Sequence, residues 1–264
     1  MDIYKLAFQD GVEVKLSPKI GIYGDMKMNR LICLNSSSSG NGYVLECDGE
    51  ILIIEAGLPF RLVNKTIFYR FRNIVGCIVS HRHTDHAKYI PEFLHRTIPV
   101  YSHPDVADKY EGVIPMATKK IYNIGSFKID AIEVQHSVPN YAYRIKHPAI
   151  GTLLFVTDAI DFPYRIKGLN HLFIEANYAD EVIGNNAYQD KWSSSASNTH
   201  MEINKTIDVI KHNLSPDLRT ICLLHLSDGN SDEEMFKEMV WNETGKRCYV
   251  ACPDLIIKLE KEDF

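Results

Sequence analysis

The hexapeptide His81-Arg82-His83-Thr84-Asp85-His86 constrains this chain more than any other stretch, because it crowds three imidazoles and a carboxylate into one turn of a sequence with only 11 histidines. Alone, such a turn reads as a solvated loop. Its surroundings argue otherwise. The apolar run GCIVS leads directly into His81, AIEVQ into His136, TLLFVT into Asp158 and TICLL into His225. Read as strands, these runs each end in a side chain that can bind a metal. The carboxyl edge of an α/β sheet is where ligands bind, since loops converge there while the strands hold them in place. A lone His136 or His225 would be read as a core histidine with satisfied hydrogen bonds, but that does not account for four strands with one kind of ending. A metal centre is therefore expected. Imidazole and carboxylate donors suit zinc best, and manganese, iron or nickel accept the same set.

The remaining features set limits on what could surround such a centre. A chain of 264 residues with 45% hydrophobic side chains buries a substantial core, read here as one α/β domain. Twenty-nine basic against 34 acidic residues give a net charge of −5, so the surface as a whole is no general trap for polyanions. Two divalent ions would still make one place locally positive. The start MDIYKLAFQDG has no apolar signal region, and no run reaches membrane-spanning length, so a cytoplasmic protein without a membrane partner is expected, in the host cytoplasm if the source is viral. Cysteines 33, 47, 77, 222, 248 and 252 lie mostly in apolar runs and read as reduced core residues. Cys248 and Cys252 lack the second half of a four-ligand zinc site.

Short apolar runs alternate with amphipathic segments from Arg30 onward, which suits two sheets sandwiched between helices. Thr199 with Glu202 reads as a capping box, followed by Ile203, Ile207, Ile210 and Leu214 at helical spacing and a stop at Pro216. Ser231 with Glu234 and a closing Gly245 repeat the pattern. The serine-rich stretches NSSSSGNG and KWSSSASN read as loops. Residues 1–29 read as an added N-terminal arm or hairpin, and residues 30–264 as the main domain.

With HRHTDH matching the motif HxHxDH in full, the chain resembles the metallo-β-lactamase fold hydrolases over about residues 30 to 254. The resemblance implies an αββα sandwich and two divalent metal ions. It implies His81, His83 and His136 on one ion, Asp85, His86 and His225 on the other, and Asp158 bridging them. Paired ions about 3.5–4 Å apart suit hydrolysis of a phosphodiester or an ester by stabilising both attacking and leaving oxygens. Asp85 could, besides binding metal, orient the nucleophile. One departure stands out: Glu55, in IIEAG, occupies a position that usually carries aspartate and supports the metal-binding turn.

Within that fold, NSSSSGNGYVLE, FIEANY, THMEI and LLHLSDGNSDEE look similar to a branch holding ribonuclease Z relatives, an exonuclease-like bacterial group and the phage anti-Pycsar enzymes that degrade cyclic pyrimidine mononucleotides. No segment resembles the long tRNA-clasping arm of ribonuclease Z. That absence and the acidic balance favour a small cyclic nucleotide as substrate over RNA or DNA, with a homodimer as the expected assembly. The alternatives are a ribonuclease Z-like or exonuclease-like nuclease, a lactone or thioester hydrolase, and a non-catalytic protein that sequesters its ligand. Candidate phosphate contacts are Ser36 to Gly42, notably Ser37, Ser38, Ser39 and Asn41, with a plain hairpin connection as the competing reading. His200, beside Thr199 at the presumed helix start, is expected to act on the substrate phosphate without binding metal. Tyr141 and Tyr143 could stack a base, although core packing is the simpler reading. Glu175 is a candidate support for the metals, and His95 and His103 read as structural or surface histidines.

Overall fold

The computed structural model describes residues 28–183 and 199–261. The first sheet is built from β1 (Arg30–Ser37), β2 (Gly40–Cys47), β3 (Glu50–Ile54), β4 (Ile74–Val79), β5 (Val100–Ser102) and β6 (Ile114–Pro115). The second holds β7 (Ile121–Ile124), β8 (Phe127–Val134), β9 (Asn140–His147), β10 (Gly151–Val156), β11 (His171–Glu175), β12 (Thr220–Leu224) and β13 (Tyr249–Val250). The chain then returns to the first sheet, where β14 (Ile256–Lys258) pairs antiparallel with β1. Helices α1 (Phe60–Thr66), α2 (Thr84–Ala87), α3 (Ile90–Leu94) and α4 (Pro104–Lys109) belong to the first half, and α5 (Asp180–Ile183), α6 (Ile203–Asn213) and α7 (Glu233–Thr244) to the second.

Strand alternation explains the layering. Leu52 and Ile54 of β3 join Phe155 of β10 and Phe173 of β11 in a core between the sheets, where Tyr43 and Phe155 meet edge to face. The alternate residues Ile51 and Ile53 face outward against Phe60, Val63, Ile90 and Phe93 of α1 and α3. Leu154 and Val156 of β10 likewise face Ile203, Ile207 and Ile210 of α6 and Phe236 and Val240 of α7. The result is the αββα sandwich. Each such buried side chain contributes about 1.5–3 kcal/mol, so the layered core, rather than any turn at its edge, carries the fold.

Strands β3 to β6 are parallel, as are β10 to β13, and β8 runs with β10 through the antiparallel β9 between them. The carboxyl ends of β4, β8, β10, β11 and β12 thereby collect at one edge. Helix α6 starts later than its sequence pattern suggests: Glu202 is its cap, accepting from the backbone N–H of Asn204 at 2.7 Å and Lys205 at 3.4 Å, while Thr199 lies outside the helix. The chain turns at Thr199 and bends at His200 before Glu202 bridges to Tyr178, which leaves Thr199 too far back to cap. Asp232, rather than Ser231, caps α7 by accepting from Met235 N–H at 3.0 Å, and Gly245 closes it at φ 65°. Tyr141 and Tyr143 are buried in the core, their hydroxyls donating to Met116 O and Val79 O, so they offer no face to a base. All six cysteines are free, and burial pushes the Cys33, Cys47, Cys77 and Cys222 thiols upward, as reduced core residues require. Among the described residues no helix is long and apolar enough to cross a membrane. Residues 1–27 of the expected arm and the stretch KWSSSASN lie outside the described residues.

Candidate metal centre

Leaving β4, the chain turns sharply, and three imidazoles come together. His83 Nδ1 lies 3.0 Å from His81 Nε2 and 3.2 Å from His136 Nε2. Tetrahedral zinc with bonds of about 2.0–2.1 Å would separate its nitrogens by roughly 3.3 Å. Asp158 Oδ2 stands 3.8 Å from both His81 Nε2 and His136 Nε2. Its other oxygen faces a second group: Asp158 Oδ1 is 3.3 Å from His86 Nε2 and 3.8 Å from His225 Nδ1. Asp85 Oδ2 completes that group at 3.3 Å from His86 Nε2 and 3.8 Å from His225 Nε2. Within each group the candidate ligand atoms lie within 4.8 Å of one another, and Asp158 belongs to both. His225 Nε2 is buried without a hydrogen-bond partner, which suits a lone pair meant for a cation. The donor set and its convergence fit divalent metal.

Burial, the largest influence, holds His81, His83 and His136 below the usual histidine range, which favours the neutral ring a metal needs. Burial is again the largest single influence and pulls His86 and His225 downward, but the acids together overcome it: Asp158, with Glu55 and Asp85 at His86 and with Asp85 and Glu175 at His225. His86 ends well above its usual value and His225 is pushed up to about 10. Metal binding at this second group competes with those protons. Asp85 and Asp158 remain well below the usual carboxylate range: burial opposes ionisation, and the facing histidines overcome it.

Backbone strain positions these groups. Glu55, Asp158 and His225, each at or just past the carboxyl end of a strand, adopt φ of 68°, 51° and 55°. Non-glycine residues held there cost about 1–3 kcal/mol each, so the surroundings must hold them. Asn140 Nδ2 donates to Asp158 O at 2.6 Å, Asn177 Nδ2 to His225 O at 2.7 Å, and His225 N–H to Ser36 Oγ at 2.9 Å. The buried Glu55 accepts from Ser80 N–H at 3.3 and 3.2 Å and reaches His86 Nδ1 at 3.3 Å. Its extra methylene thus still serves the metal turn, because the left-handed backbone carries the carboxylate beneath His86. Gly57 makes this approach feasible: a Cβ there would lie 1.6 Å from the Asp85 carbonyl oxygen.

Sequence reasoning left Glu175 as a minor support, and the structure gives it a central place. Fully buried at the end of β11, it accepts from Ala159 N–H at 2.8 Å and sits 2.6 Å from His200 Nδ1 and 3.4 Å from His225 Nδ1. The signal was present, since HLFIE is a fifth apolar strand ending in a possible ligand. His200 is half-buried in the segment before α6, its ring stacked on His225 at 5.3 Å and edge-on to His136 at 5.5 Å. Burial would lower its pKa, but the Glu175 hydrogen bond raises it above the usual value. Ser37 and Ser39 bond each other across the β1–β2 hairpin at 2.7 Å, and Ser38 is exposed at its tip. Asn41 instead reaches the metal groups, with Nδ2 3.0 Å from His86 Nε2 and 3.3 Å from Asp85 Oδ2. His103 caps α4, accepting from Asp105 N–H at 3.0 Å, and His95 is exposed.

No protein-family model matches the sequence, and no curated protein matches it. Solved structures do. The metallo-β-lactamase fold protein YhfI from Bacillus subtilis superposes with a TM-score of 0.69 at 16% identity, covering 88% of this chain and 99% of that one. A diphosphatase of the PhnP family gives 0.62 at 14% identity over 88% and 99% of the two chains. The short form of human tRNase Z gives 0.60 at 14% identity over 87% and 99%. This chain has the metallo-β-lactamase fold.

Proposed function

We propose that the chain is a dinuclear metal-dependent phosphodiesterase that hydrolyses 3′,5′-cyclic mononucleotides, the activity by which an anti-Pycsar enzyme would remove a cyclic pyrimidine signal in the cytoplasm. The observation that carries the reading is Asp158, whose two carboxylate oxygens face two separate ligand groups. His81, His83 and His136 would hold one ion and Asp85, His86 and His225 the other, zinc by donor preference or manganese. The ions would polarise the phosphate and supply an activated water near neutral pH. His200, its Nδ1 fixed on Glu175, turns Nε2 to the substrate to protonate the departing ribose oxygen. The fold is shared with a diphosphatase and a tRNase Z, both named for phosphate chemistry. The net charge of −5 favours a small substrate over a polyanion. A homodimer is the proposed assembly.

Metal content is the first test: dialysis against limiting zinc followed by elemental analysis should find about two ions per chain. A value near zero would end the metallohydrolase reading. The substrate is tested by incubating the metal-loaded protein with cyclic mononucleotides, cyclic dinucleotides, short RNA, short DNA, lactones and thioesters, with products resolved by chromatography. Cyclic mononucleotides should be opened fastest. Salt-sensitive cleavage of RNA tails or DNA ends, without action on cyclic mononucleotides, would move the chain to the nuclease reading favoured by the tRNase Z likeness.

A further inference from the structure

Arg82 and Thr84, interleaved with the candidate ligands of HRHTDH, belong to neither ligand group. They do not point into the core. Together with His83, Asp85, Lys109 and Val138 they line an open cleft of about 340 Å³. Two of the six lining residues are candidate metal ligands, so the cleft is a mouth of the metal centre. Its rim carries two cations from separate elements, the β4–α2 turn and the end of α4.

Both cations are exposed, and each is tethered by a polar contact. Arg82 Nε lies 2.7 Å from Asp105 Oδ2, and among the described residues the terminal N–H groups of the guanidinium have no hydrogen-bond partner. Lys109 Nζ donates to Arg82 O at 3.2 Å, the backbone carbonyl between two metal-ligand histidines, and rests 5.2 Å from the centre of the Tyr110 ring. That single bond leaves two ammonium N–H groups for the cleft. Asp105 pairs with Arg82, and Asp85, which lines the cleft, faces His86 and His225. Thr84 adds an exposed hydroxyl. Arginine and lysine fixed beside a metal pair match the non-bridging oxygens of a phosphodiester and have nothing to pair with on a neutral ester.

We propose that Arg82 and Lys109 form an anion-recognition wall of this cleft, gripping the substrate phosphate beside the metals and selecting phosphodiesters over lactones and thioesters. The inference rests on the phosphodiesterase reading of the same site. Its test uses the metal-loaded full chain with Arg82→Gln, Lys109→Gln and the double variant. Calorimetry with inorganic phosphate and steady-state turnover of a cyclic mononucleotide are the two measurements. The double variant should weaken phosphate binding and raise KM by about tenfold or more, the scale of a lost charge-assisted hydrogen bond, with kcat within about twofold and bound metal unchanged. Arg82→Lys should recover part of the loss, and the wild-type dependence of KM on salt should flatten in the double variant. Unchanged phosphate affinity in the double variant would overturn the proposal, and so would a fall in kcat accompanied by lost metal, which would make the pair a brace for the ligand turn. If the wild type turns over no phosphodiester, the functional reading fails by itself, while phosphate calorimetry still decides whether the wall binds anions.

Discussion

Alanine at His83 or Asp85 should abolish hydrolysis while the chain keeps its fold. His83 caps α2 at the end of the turn from β4 and Asp85 lies in the first turn of α2; both are partly exposed, and neither contributes to the layered core. Removing His83 takes away the nitrogen that lies 3.0 Å from His81 and 3.2 Å from His136, so one ligand group keeps only two imidazoles and Asp158. Removing Asp85 strips the second group of the carboxylate facing both His86 and His225. Metal supplies several kcal/mol of transition-state stabilisation, so turnover should fall by about a thousandfold or more. Elemental analysis should show loss of bound metal, with far-UV circular dichroism unchanged. Retained activity in both variants would refute the assignment, and collapse of the dichroism signal would show that metal also holds the fold together.

The second large effect is expected at His200. His200→Ala should lower turnover by about a hundredfold or more, the scale of a lost general acid, with metal content unaltered. Geometry carries this expectation, and it differs from the sequence argument. Position 200 was expected at the positive end of a helix, yet α6 begins only at Ile203 and the imidazole is instead seated on Glu175 at 2.6 Å. A carboxylate on Nδ1 sets the tautomer and ring orientation, as in catalytic histidines generally. Glu175→Gln should therefore impair the same step with a smaller effect. Loss of an ion in His200→Ala would make His200 a ligand alongside Asp158, Glu175 and His225, which also lie within 4.8 Å of one another. Unchanged turnover would make it a bystander.

The convergence of the candidate ligands was legible because they obey a local rule: an apolar run ending in a possible ligand can be read without knowing which strands are neighbours. The same holds for the sandwich, since strand and helix periodicities switch along the chain. What escaped depends on distant contacts. The cap of α6 was assigned to Thr199 because residue types fit, but Glu202, bridged to Tyr178, caps the helix three residues later. The core reading of Tyr141 and Tyr143 did not depend on such contacts: with Ile145 they alternate against Ala142, Arg144 and Lys146, and all three pack between the sheets. The short β14 pairs with β1 across nearly the whole chain, and three residues carry no periodicity to announce it. Asn41 was nominated for a phosphate contact through the loop it adjoins; only folding shows its side chain turned to Asp85 and His86.

The ligands are divided between the layers of the sandwich: His81, His83, Asp85 and His86 follow a strand of one sheet, and His136, Asp158 and His225 follow strands of the other. An ion held among them is a cross-link between two halves of the molecule, closing a loop that spans more than half the sequence and so removing conformations from the unfolded chain, much as a disulfide does. A bound ion would accordingly report on the scaffold that holds it. Any loosening that lets one sheet slide on the other separates the ligand groups while every strand is still paired, so metal binding there would depend on the register between layers more tightly than on the integrity of either layer alone.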